Sequence, residues 1–140
     1  MANIEKGYLY ARRLVLAPGQ TIPGGLENLK GLIKLGKAKD LTKREPGYQQ
    51  WNRMYYPMVF ETVFAAVEVD DNDLAEELLL EHFQKDNVVS EFGTAARQLM
   101  SPEQAKVAEV VGNGRECFRI SAEAAQEILL QLGEAVSLCS

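Results

Sequence analysis

The alternation of apolar and polar positions divides the chain into a strand-like first part and a mostly helical second part. Gly7-Tyr8-Leu9-Tyr10-Ala11-Arg12-Arg13-Leu14-Val15 is rich in aromatic and branched residues and predicts a strand. It ends at Ala17-Pro18-Gly19, and the prolines and glycines up to Gly25 predict a loop. Leu32-Ile33-Lys34-Leu35-Gly36 predicts a second short strand, pairing with the first across this long connection. Asp40 then reads as the N-cap of a helix through Lys43 and Arg44 that Pro46-Gly47 interrupts or bends. Residues 58–69 form a continuous apolar run with Val59, Phe60, Val63, Phe64, Val67 and Val69, which predicts one central strand buried on both sides.

The second part is punctuated by helix caps. Asp70-Asp71-Asn72-Asp73 places carboxylates where a helix N-terminus favours them, predicting a helix over residues 73–85. Ser101-Pro102-Glu103-Gln104 predicts a further helix start, ending at Gly112-Asn113-Gly114. Cys117-Phe118-Arg119-Ile120 predicts a short strand, after which Ser121 caps a last helix with Ala125, Ile128, Leu129 and Leu132 on one stripe. The order is β-β-α-β-α, then helices, a strand and a helix, without internal repeats. This is an α+β chain, sandwich-like, with a small, three-stranded, mainly antiparallel sheet flanked by helices. Its 140 residues read as one domain with a core over about 5–85 and a helical insertion and closing strand-helix over 86–140.

Composition places the chain among ordinary globular proteins, with 46% hydrophobic and 25% charged residues. No apolar run approaches the ~18 residues of a membrane span. The opening Met1-Ala2-Asn3-Ile4-Glu5-Lys6 lacks the pattern of a secretory signal, and the two cysteines, Cys117 and Cys139, form no CxxC pair. These features suggest a cytoplasmic protein. The net charge of −5 is unevenly spread, with residues 1–57 summing to +6 and residues 58–140 to −11. A basic half can meet phosphates while an acidic half supports solubility or holds a cation; two solvated surfaces produce the same pattern.

Several chemistries are set aside by what the chain lacks. His82 is the single histidine, so histidine-rich metal clusters and histidine-paired nucleophiles have almost nothing to use, and its place near a helix end suits a structural role. No GxxxxGK[ST] or GxGxxG motif is present, and Gly112-Asn113-Gly114 suits a helix stop. Trp51 and Phe60 could stack on bases, although core packing suits them as well. What remains is a set of tyrosines, one arginine and one helical glutamate. At 100° per residue, Arg44 and Tyr48 share one helix face and can converge on one phosphate. Glu76 lies within about 60° of Leu79, Leu80 and Phe83 on its helix, where a charge is costly without a cation or polar partner. Glu77 and Glu81 lie round the helix from that stripe.

These residues resemble the signatures of the GIY-YIG nuclease superfamily. Gly7-Tyr8-Leu9-Tyr10 resembles its first signature strand, and Ile33-Lys34-Leu35-Gly36 its second, in the Lys-Ile-Gly form of a phage and bacterial subfamily. The segment from Gly36 to Arg44 matches the family's glycine-to-arginine stretch, with the arginine eight residues after the glycine. Ala75-Glu76-Glu77-Leu78-Leu79-Leu80-Glu81-His82-Phe83 resembles the subfamily's acidic helix, and Arg115-Glu116-Cys117-Phe118-Arg119-Ile120 its closing strand. The chain departs from the pattern at Lys34, in place of the usual tyrosine, and at Leu80, in place of a common histidine. Its connection between the signatures is longer than usual, and Asn87 is a weak candidate for the family's late asparagine.

The resemblance implies a GIY-YIG-type fold and a metal-dependent endonuclease that hydrolyses phosphodiester bonds in DNA. In that scheme Tyr10 orients or deprotonates the attacking water, Arg44 holds the scissile phosphate, and Tyr48 assists proton transfer. Lys34 adds a phosphate contact, and Glu76 binds one magnesium or manganese ion. Lys37, Lys39, Lys43 and Arg12 are the expected contacts to the nucleic-acid backbone. So small a unit would rely on weak sequence preference, a homodimer or a partner. The alternatives are the same fold as a catalytically weak module binding nucleic acid or a protein, and a purely structural protein. For the enzyme, Tyr10, Arg44, Tyr48 and Glu76 are expected to line one groove.

Overall fold

A computed structural model describes residues 6–21, 31–55, 58–84 and 117–136. The predicted helix over residues 101–114 and the asparagine Asn87 lie outside the described residues. The first strand, β1 (Gly7–Leu16), is the centre of the sheet. A turn at Ala17-Pro18-Gly19-Gln20 closes it, with the Gln20 N–H donating to the Ala17 carbonyl at 3.1 Å and Gly19 at φ 77°, a value that favours glycine. The chain returns as β2 (Ile33–Ala38), antiparallel to β1 with Tyr8 opposite Ala38, Tyr10 opposite Gly36 and Arg12 opposite Lys34.

Asp40 accepts hydrogen bonds from the Thr42 N–H at 3.0 Å and its hydroxyl at 2.6 Å, forming a tight turn rather than a helix cap. A 3₁₀ turn over Thr42–Arg44 follows, then α1 (Glu45–Tyr55). Pro46 and Gly47 therefore open a helix instead of interrupting one, because proline's missing N–H has no intrahelical partner to lose in the first turn.

The expectation of one strand over residues 58–69 is corrected to two: β3 (Met58–Phe60) and β4 (Ala65–Val69). Both pair antiparallel with β1, β3 at Leu14, Val15 and Leu16 and β4 over Gly7 to Ala11. Residues 61–64 stand opposite only Arg12 and Arg13, so the chain bulges there. The bulge stays tied to β1 at both ends, by the Glu61 N–H to Arg13 O at 2.8 Å and the Phe64 N–H to Ala11 O at 3.0 Å.

Asp71 caps α2 (Asn72–His82) by accepting from the Leu74 N–H at 3.2 Å. A two-residue β5 (Cys117–Phe118) pairs with β2, and Ser121 caps α3 (Ala122–Leu132) through the Ala124 N–H at 3.0 Å. The chain then adds β6 (Glu134–Ala135) beside β4. The sheet thus has six strands, in the order β5-β2-β1-β4-β6 with β3 on the far part of β1, where three were expected. Of the additional three, β5 is the expected closing strand joined to the sheet at Cys117–Phe118, β6 is only two residues long, and the third arises because the ten-residue β1 is long enough to pair with two strands along one edge.

The architecture is α+β, an antiparallel sheet flanked by helices on both faces. Strand alternation sends Leu9, Ala11, Ile33, Leu35, Val67, Val69 and Phe118 to one face, where Ala75, Leu79 and Phe83 of the α2 segment and Ala125 and Leu129 of α3 complete the core. The other face carries Tyr10, Arg12 and Leu14 beneath α1, with Phe60 of β3. None of the helices among the described residues is long and apolar enough to cross a membrane. Leu79 is fully buried whereas Leu78 is 46% exposed on the same helix. Leu79→Ala is expected to destabilise the fold by about 2–5 kcal/mol and Leu78→Ala by no more than about 0.5 kcal/mol, as urea denaturation would read.

Candidate active site

The site grows from one cross-strand neighbour pair. Tyr10 lies opposite Gly36, and a Cβ built on that glycine would stand 2.6 Å from the Tyr10 hydroxyl oxygen and 2.7 Å from its ring carbon Cζ. The phenol lies flat over the backbone of β2 because position 36 has no side chain. Its hydroxyl meets the Tyr48 hydroxyl at 2.7 Å, with the two rings edge to face at 6.1 Å. Tyr48 comes from the start of α1 and packs its ring edge to face on Phe60 at 5.7 Å, so Phe60 is core here. Both tyrosines are buried, at 3% and 7% exposure. Burial, followed by the neighbouring Tyr10, pushes the Tyr48 phenol well above the ordinary tyrosine range, while the Arg12 guanidinium pulls it the other way.

Arg12 lies in the same pocket, 1% exposed, with its guanidinium carbon 3.7 Å from the centre of the Tyr48 ring. Its Nη2 donates to the Glu45 carboxylate at the first position of α1, and Nη1 donates to the Glu61 carbonyl in the bulge at 3.3 Å. Nε is buried without a hydrogen-bond partner. The bulge between β3 and β4 thus supplies a carbonyl to a cation that the sheet buries. The expected backbone contact at Arg12 is instead an internal arginine beneath α1.

On the next residue of β2 the direction reverses. Lys37 points to the face covered by α2, where its Nζ donates to Asp73 and lies 3.7 Å from the Glu76 carboxylate. The hydrogen bond that Lys37 donates to Asp73 leads in raising its pKa; burial opposes this as the next effect, and the Glu76 charge adds to the rise. Glu76 is 17% exposed, and Lys37 is the polar partner that its place beside Leu79 and Leu80 requires.

The structure therefore brings Tyr10 and Tyr48 together on the α1 face and sets Glu76 on the α2 face, so the expected single groove is not formed by these three. The two groups nonetheless touch consecutive residues of one strand, Gly36 and Lys37. Lys34 is half-buried on the α1 face opposite Arg12, its Nζ donating to the Leu35 carbonyl at 3.2 Å. Lys39 and Lys43 are exposed on the β2–α1 turn, where the Thr42 hydrogen bonds hold the Asp40 carboxyl below its usual range. Arg44 closes that turn directly before Glu45; its side chain and that of Trp51 lie outside the described set. His82 is exposed with its ring against Phe83, in keeping with a structural role. Asp73 and Glu76, with Lys37 between them, are carboxylates that could hold a hard cation.

Three residues of this arrangement went unread in the sequence. Glu45 had no signal beyond standing before a proline. Asn52 of α1 holds Phe60 in β3 through both backbone groups, accepting from its N–H at 2.7 Å and donating to its carbonyl at 3.3 Å. Asn72 is a buried polar residue at the start of α2, its amide lying where a Cβ on Gly7 would stand. Arg12 did carry a signal, since period-two alternation puts it on the Tyr10 face of a central strand.

No known family model, curated protein or solved structure matches this chain.

The buried tyrosine pair has a consequence for pH. Its raised pKa keeps Tyr48 protonated in the folded state above about pH 10, where an unfolded tyrosine has ionised. The folded state then binds more protons than the unfolded one, so this contribution is present below about pH 10 and is lost as pH rises further. Stability measured by urea denaturation from pH 9 to 11 is expected to fall more steeply in the wild type than in Tyr48→Phe.

Proposed function

We propose that this chain is a GIY-YIG-like nuclease domain that hydrolyses DNA phosphodiester bonds with the help of one magnesium or manganese ion. The observation that carries the reading is the meeting of distant signature residues on one dipeptide of β2. The Tyr10 and Tyr48 hydroxyls join at 2.7 Å over Gly36, and Glu76 approaches the adjacent Lys37 to 3.7 Å. A first-strand tyrosine, a second-strand glycine and a tyrosine of α1 have no local reason to converge on one face of β2, while the α2 glutamate approaches the adjacent residue from the other face. The groups on the two faces act together, in this reading, around the edge of β2.

In this reading the hydroxyl pair orients the attacking water by hydrogen bonding. Arg44, one residue before the anchored Glu45, takes the scissile phosphate, and Lys39 and Lys43 on the same turn hold the flanking backbone. Lys34, on the Tyr10 face, adds charge near the phosphate. Glu76, with Asp73 a turn away, offers the hard oxygen donors that magnesium and manganese prefer. When bound, such an ion supplies a Lewis acid for a phosphate oxygen. Lys37 must release Glu76 for that, and turns its ammonium toward the phosphate.

One observation favours a second reading, a GIY-YIG-like module that binds nucleic acid without cutting it efficiently. Tyr10 and Tyr48 are almost fully buried, and Glu76 is already engaged by Lys37. Incubation with supercoiled plasmid separates the two. The nuclease reading expects nicking that requires Mg²⁺ or Mn²⁺ and falls at least 100-fold in Arg44→Ala and in Glu76→Ala. Salt-sensitive plasmid binding without nicking supports the module, and neither nicking nor binding overturns both.

A further inference from the structure

Arg12 is the one fully buried cation among the described residues, and the nuclease scheme assigns it no step. It lies 1% exposed, out of reach of any phosphate on the surface. Its contacts are instead concentrated on one turn of one helix: the carboxylate of Glu45 and the ring of Tyr48, three residues apart in α1. A third contact, to the Glu61 carbonyl, ties the same guanidinium to the bulge of the sheet. The C-terminal part of α1 is held separately, by Asn52 on Phe60. Arg12 is therefore, beside the Tyr10–Tyr48 hydroxyl contact, a polar grip of the sheet on the first turn of α1, the turn that follows Arg44 without an intervening residue.

Stability does not explain a cation in this place. Burying a guanidinium costs desolvation that its partner, the 38% exposed Glu45, only partly offsets, and here Nε has no hydrogen-bond partner. An apolar residue could fill the space but could not fix Glu45 and Tyr48 in direction. A planar guanidinium does both, stacking on the ring while its edge donates to the carboxylate.

We infer that Arg12 is a positioning residue: from inside the sheet it fixes the first turn of α1, and with it the placement of Arg44 and Tyr48, without touching substrate. The inference rests on the nuclease reading for its effect on rate, but the anchoring itself is measurable without catalysis.

The test compares the full-length wild type with Arg12→Met and Arg12→Lys in three measurements. Amide hydrogen exchange of residues 45–55 is expected to accelerate at least tenfold in Arg12→Met, with residues 122–132 unchanged, and to be intermediate in Arg12→Lys. The slope of log affinity for plasmid DNA against log salt is expected to stay at the wild-type value, since no phosphate contact is lost. Plasmid nicking is expected to lose at least tenfold in kcat with KM within twofold, partly restored in Arg12→Lys. Unchanged exchange in α1 overturns the inference, as does exchange rising equally in α3, which would make Arg12 a support of the whole fold. A salt slope reduced by about one, the signature of a lost phosphate contact, overturns it too. A wild type that never nicks overturns the nuclease reading instead, and the exchange data still decide the role of Arg12.

Discussion

The antiparallel register of β1 and β2 is the constraint from which the rest of the arrangement follows. It puts the Tyr10 ring over the bare backbone of Gly36, and any side chain at position 36 would meet that ring at 2.6–3.1 Å. A slip of one residue would send Tyr10 and Arg12 into the apolar face and Leu9 and Ala11 beneath α1. With the register set, the Tyr10 hydroxyl becomes a buried polar group that needs a partner, and Tyr48 of α1 supplies it. The helix is thereby placed by a polar contact as well as by packing against Phe60.

Two cations of the basic half organise the two faces of the sheet. Arg12 draws Glu45 to the α1 face, and Lys37 draws Asp73 and Glu76 to the α2 face. The Lys37 contacts join the positively charged first part of the chain to the negatively charged second part, so the uneven charge distribution is partly an internal pairing. The two grips differ physically. Arg12 is buried and its contacts are directional, whereas Lys37 is 32% and Asp73 68% exposed, and their pairing is weakened by water and salt. The α1 side is accordingly the fixed wall of the candidate site, and the Lys37 contact is the one that can exchange partners.

Much of the scaffold was legible because its signals are local. Aromatic and branched residues marked β1 and β2, Ser121 marked the start of α3, and the acidic run at residues 70–73 marked the start of α2, with Asp71 as the cap. The failures share a cause, which is tertiary structure overriding local pattern. An unbroken apolar run over residues 58–69 looks like one strand, because periodicity carries no information about the bulge whose Glu61 carbonyl accepts from Arg12. Proline and glycine at 46 and 47 read as an interruption, because the cost of proline depends on where a helix begins. The site was legible in part. Helical spacing found the apolar setting of Glu76 but not its partner Lys37, and charge alone made Arg12 look like a surface residue.

Paramagnetic relaxation is the sharpest check on the proposal that a cation binds at Asp73 and Glu76, beside Lys37 of β2. In amide NMR spectra of the ¹⁵N-labelled chain titrated with Mn²⁺, the account predicts early broadening at Asp73 and Glu76 that extends to Gly36 and Lys37. Broadening confined to acidic positions elsewhere, such as Glu123 and Glu127 of α3, or none below millimolar Mn²⁺, would contradict it.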